Sequence, residues 1–114
     1  MTYDAELADR VRHAVSDAEN VREVKMFGGL AFMVNEKMVA CVSAGGGALL
    51  VRVSSSRDAE YLKVVGARRA EMGKNRLMGE GWITVDQEGL TEDRDLRFWI
   101  DAVLEYNAEM TTRP

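Results

Sequence analysis

One histidine, His13, and one cysteine, Cys41, are the side chains of this sequence most readily turned to catalysis or metal binding. A zinc site or a Cys–His pair needs several such groups to converge, and this chain offers one of each. His13 falls off the apolar stripe of the helix that carries it. Cys41 falls inside an apolar strand, where a thiol acts as a small hydrophobe rather than a nucleophile. Gly45-Gly46-Gly47 has the glycine of a phosphate cradle but runs from strand to strand, whereas such a loop must lead into a helix N-terminus. Ser54-Ser55-Ser56 does open a helix and is flanked by Arg52 and Arg57. It is a candidate anion contact, although capping alone accounts for the serines. Arg68, Arg69, Lys74 and Arg76, offset by Glu71, form the one basic cluster, a candidate contact for a phosphate backbone or an acidic partner. No catalytic residue, metal site or cofactor is expected from this set.

The elements that must position these residues fit within one domain. At 114 residues the chain can bury roughly two-thirds of its surface. Its 46% apolar and 30% charged residues are those of a folded globular protein. A formal charge of −4 disfavours a general nucleic-acid coat while leaving room for a local basic patch. No run approaches the roughly 20 apolar residues that span a bilayer, and Met1-Thr2-Tyr3-Asp4 does not begin a leader, so a cytoplasmic location is expected. A lone cysteine fits a reducing compartment.

Leu7, Val11, Ala14, Val15 and Ala18 recur at helical spacing, which predicts an amphipathic helix over Asp4 to Ala18. The β-branched residues then cluster from Val21 to Val53. Asn35-Glu36 predicts a two-residue hairpin with Val34 opposite Lys37, Met33 opposite Met38, Phe32 opposite Val39 and Ala31 opposite Ala40. Ala44-Gly45-Gly46-Gly47 predicts the next, pairing Val42 with Leu49 and Ala40 with Val51. In that register Ala31, Met33, Met38, Ala40, Val42, Leu49, Val51 and Val53 form the core face. Leu30, Phe32, Val34, Val39, Cys41 and Leu50 form the opposite face. That face is more apolar than a solvated one should be, and it is the candidate surface for a homodimer or a partner protein. Gly28-Gly29 is open to two readings, a hairpin turn or a bulge in one bent strand. The bulge is preferred because it keeps Glu23 and Lys25 off the core face.

A short helix is expected over Arg57 to Val65, with Ser55 and Asp58 as a capping-box variant and Gly66 beyond its end. A strand is expected near Arg69 to Met72 and another over Gly81 to Val85. Thr91 should cap a last helix striped by Leu96, Trp99, Ile100, Val103 and Leu104, with Thr111 to Pro114 fraying. The order is α-β(3)-α-β(2)-α, a two-layer α+β domain with an antiparallel sheet packed against helices.

Met26-Phe27-Gly28-Gly29, then Phe32, Asn35 and Lys37-Met38, then an apolar strand ending in Leu50-x-Arg52, resembles the N-terminal domain of the TfoX/Sxy family. Met78, Trp82, Leu90 and the helix containing Trp99-Ile100 fit it by spacing, so the resemblance covers about residues 5 to 108. Members are known as regulators of natural competence, and in longer members a C-terminal helical domain follows. The resemblance implies a single domain over residues 1–114, the element order above and one bent first strand; the sequence departs from the longer members in ending at Pro114, so no second domain is expected. Glu36 stands where many relatives have glycine.

The expectation is therefore a small non-enzymatic regulatory or adaptor domain acting through protein contacts, as a homodimer or with a regulatory partner, and with no membrane association. The alternatives are a nucleic-acid-associated domain using the basic cluster around residues 68–76, and a cryptic enzyme or small-ligand binder.

Overall fold

The computed structural model describes residues 3–26, 28–43, 48–71 and 76–112. Helix α1 (Ala5–Ala14) is followed by strands β1 (Val21–Met26), β2 (Gly29–Val34), β3 (Lys37–Val42) and β4 (Leu49–Arg52). Helix α2 (Asp58–Tyr61), strands β5 (Ala67–Arg69) and β6 (Trp82–Val85), and helix α3 (Asp93–Thr112) complete the chain. All pairings are antiparallel, in one sheet of order β1-β2-β3-β4-β6-β5. This is the expected α+β architecture, with four strands rather than three before α2. Among the described residues no helix is long and apolar enough to cross a membrane.

Asp4 starts α1 where the helical spacing predicts: its side chain accepts from the N–H groups of Glu6 and Leu7 at 3.0 and 3.1 Å. The helix stops at Ala14 rather than Ala18. The Ser16 hydroxyl takes the His13 carbonyl at 2.8 Å, and Asn20 turns the chain with φ 57°. At the other end, α3 holds its helical form to Thr112, past the point where fraying was expected.

The expected single bent strand is two strands. Met26 pairs with Gly29 and Gly28 has φ 78°, so the glycines close a hairpin. Glu23 consequently lies beside Phe32 on the helix-covered face, the arrangement the bulge reading was meant to avoid. Its carboxylate is met there by α1, where Arg12 donates to it twice, at 2.7 and 2.8 Å.

The bulge sits one hairpin later. Asn35 and Glu36 both take positive φ, 53° and 65°, the conformation of a type I′ turn. Met33 pairs with Met38 as expected, but Phe32 pairs with Ala40, leaving Val39 as the extra residue. This turns β2 over relative to the expected faces. Leu30, Phe32 and Val34 join Val42, Leu49, Val51, Ile83 and Val85 in the core, under Leu7 and Val11 of α1 and Trp99, Ile100 and Val103 of α3. The pairings Val42–Leu49 and Ala40–Val51 hold as predicted, although Ala44 to Gly47 lie outside the described residues.

Candidate functional site

Of the six residues expected on an exposed partner face, four are buried. Leu30, Phe32, Val34 and Val39 are between 0 and 4% exposed and belong to the core cluster. The cause is the Val39 bulge, since one extra residue exchanges the faces of a strand of period two. Cys41 and Leu50 do lie on the outer face and pair with each other. The register sets them beside Ala31 and Thr84, and the Met33–Met38 pair lies on the same face of β2. Val24, opposite Ala31, extends the face toward β1. Val24, Met33, Met38, Cys41 and Leu50 are all half-buried, and none belongs to the core cluster that the helices cover. The structure thus assembles an apolar outer sheet face, but from largely different residues than expected.

Cys41 is suited to packing there rather than to nucleophilic attack. Burial pushes its thiol above the ordinary value of 9.0. His13 is exposed on α1, with Asp9 Oδ2 at 3.8 Å from its Nε2. Among the described residues no group of three or more His, Cys, Asp or Glu side chains could hold a metal ion.

Within the basic cluster, Arg68 and Arg69 are both engaged by carboxylates. Arg69 is structural. It donates through Nη1 to Asp58 Oδ1 at 2.9 Å, Gly79 O at 2.8 Å and Trp82 O at 3.0 Å, and through Nη2 to Asp58 Oδ2. Arg68 is committed to Asp86 at 3.1 Å, and Arg57 to Glu60 at 2.9 Å and Glu105 at 3.6 Å. Arg76 is exposed, and Lys74 lies outside the described residues. Asp58 therefore does not serve the expected capping box. It is 3% exposed and also accepts from the Gly81 N–H at 2.7 Å. Arg69 first, and the Gly81 N–H after the opposing cost of burial, hold its carboxyl below the ordinary 3.8. The serines turn toward each other instead, with Ser54 and Ser56 hydroxyls 2.8 Å apart.

Arg52 is held differently from the other arginines. Its guanidinium lies 4.5 Å from the centre of the Trp82 ring and 5.3 Å from that of Tyr106, and its Nη2 donates to the Tyr106 hydroxyl at 3.4 Å. It makes no ion pair with a carboxylate among the described residues. Two aromatic faces thus fix a half-buried cation at the end of β4. Arg52 was legible in the sequence as a candidate anion contact, but the cross-strand Trp82 and the distant Tyr106 that immobilise it were not.

The profile of the family described as the TfoX N-terminal domain matches residues 13–106. No curated protein and no solved structure matches the chain.

Proposed function

The chain belongs to the TfoX N-terminal domain family, and from that premise we propose that it is a small non-enzymatic regulatory or adaptor domain, of the competence-regulator type, working in the cytoplasm through protein contacts. The observation that carries this reading is the outer sheet face. Val24, Met33, Met38, Cys41 and Leu50 present apolar side chains away from the helices. Methionine pairs such as Met33–Met38 adapt their shape to a partner more readily than branched residues do. The engagement of Arg68 and Arg69 in ion pairs with Asp86 and Asp58 weighs against the nucleic-acid reading, which needs cations free to neutralise phosphates.

The test places a photo-reactive residue at Met38 and, as a control, at Asp101 on the exposed side of α3. The Met38 probe should capture a defined protein that the Asp101 probe does not, and Leu50→Asp should abolish the capture. Equal capture at both sites would overturn the reading. Salt-dependent retardation of duplex DNA, without Met38-specific capture, would transfer the function to nucleic acid.

A further inference from the structure

The sheet ends in two edges, β1 and β5. The β5 edge is only Ala67–Arg69 and is continued by a single bridge between Glu71 and Leu77. The β1 edge is six residues long, Val21–Met26, and largely exposed.

Its backbone has a fixed polarity. The Asn35 N–H donates to Asn20 O at 3.2 Å, which marks Asn20–Asn35 as a hydrogen-bonded pair. By the alternation of an antiparallel ladder, Arg22, Val24 and Met26 are also bonded to β2, while the N–H and C=O groups of Val21, Glu23 and Lys25 point to the open side. A second strand can bond to this edge only if its own outward-pointing residues stand opposite these three.

We propose that this edge pairs with the β1 edge of a second copy of the chain, antiparallel, about a two-fold axis at Val24. Each Glu23 then stands opposite a Lys25 of the other copy, and the two residues exchange both backbone hydrogen bonds. Val24 faces Val24, and Arg22 faces Met26. Centres at Arg22, Glu23 or Lys25 each set a pair of like charges face to face, and centres at Val21 or Met26, the strand's ends, leave most of the edge unpaired. Charged edges ordinarily keep sheets apart. Here the register demanded by the backbone is also the one in which opposite charges meet. Asp9, Arg12 and Glu23 form a linked cluster on the helix side of β1, carrying one excess negative charge. Lys25 is exposed and forms no ion pair with a carboxylate among the described residues, so each copy supplies the cation the other lacks. The two-fold axis is perpendicular to the sheet, so both copies keep their helices on the same side and their outer faces run on continuously through Val24.

This edge shares only Val24 with the outer face of the functional proposal, and its test is independent. Light scattering at micromolar concentration should give twice the chain mass. Lys25→Glu should halve it, and Leu50→Asp should leave it unchanged. The register is read by disulfide trapping with Cys41 replaced by serine. Val24→Cys places two thiols across a non-hydrogen-bonded pair, with Cα atoms about 4.5 Å apart, within disulfide reach. Val24→Cys should cross-link under mild oxidation, and Arg22→Cys and Lys25→Cys should not. A wild-type mass of one chain, a dimer mass that survives Lys25→Glu, or trapping through Arg22→Cys or Lys25→Cys in place of Val24→Cys would each overturn the proposal.

Discussion

Asp58 and Arg69 meet as a two-pronged ion pair that ties α2 to β5, with the Asp58 side chain 5% and the Arg69 side chain 22% exposed. A buried pair of this kind gains little over a well-packed apolar pair, but removing one partner strands the other charge. Asp58→Asn should therefore lower stability by about 3 kcal/mol or more, measured by urea unfolding near neutral pH. The pH dependence follows from the depressed carboxyl. Its contribution is fully present above the unfolded value near 3.8 and is lost as pH falls through the lower folded value. The gap between wild type and variant should narrow across that acid window. A gap that stays constant down to pH 2 would assign the cost to packing instead.

The Arg12–Glu23 pair offers the contrast. It is also bidentate, but its side chains are 46 and 33% exposed, so solvent screens it. Arg12→Ala should cost only about 0–1 kcal/mol in the same assay.

Asn107 is 2% exposed and donates to the Val34 carbonyl at 2.9 Å while accepting from Asn35 at 3.2 Å. Asn107→Ala removes a buried amide that both donates to that carbonyl and accepts from Asn35. The expected loss is about 1–3 kcal/mol, visible as a lower thermal midpoint without loss of helix signal in the native state.

Glu36 pays a conformational cost at φ 65° and returns only an exposed ion pair with Arg22 at 2.7 Å. Glu36→Gly should therefore stabilise the protein by up to about 1 kcal/mol. A lower melting temperature in the variant would mean that the Arg22 pair outweighs the turn strain.

Gly29 packs so that a Cβ would stand 2.4 Å from the Val42 carbonyl oxygen, a backbone atom that cannot swing aside. Gly29→Ala should cost about 1–3 kcal/mol. Gly79, where a Cβ meets nothing within 4 Å, is the control, and Gly79→Ala should stay within about 0.5 kcal/mol of wild type.

Much of the fold was legible because apolar periodicity and turn residues carry it: the stripes of α1 and α3, the Asn35-Glu36 turn, and the β3–β4 register. The Val39 bulge was not legible, because Phe32 and Met33, like Val39 and Ala40, are apolar on both sides of the slip and no side chain objects to either register. The hairpin at Gly28-Gly29 was misread for a related reason. Glu23 on that face looks forbidden from strand alternation alone, but the edge position of β1 leaves it exposed and Arg12 reaches it from a separate helix. Asp58 was read as a local cap when its partner lies eleven residues away in β5. Cys41 and Leu50 were placed correctly, and the faces of Leu30, Phe32 and Val34 were lost with the bulge.

The asparagine link at the far end of the sheet bears on how the protein is made. Asn20 bonds to Asn35 at 2.9 Å and Asn35 to Asn107, so a turn early in the chain is clasped by a residue 72 positions later. Ile100 and Val103 fill the core from the same late helix. The part of the sheet's apolar face that α3 covers therefore waits through most of translation, and the ribosome must release residue 107 before that clasp can close. During that interval only α1 can shield the face that carries Phe32, Val42 and Val51, and the core closes when the last helix arrives.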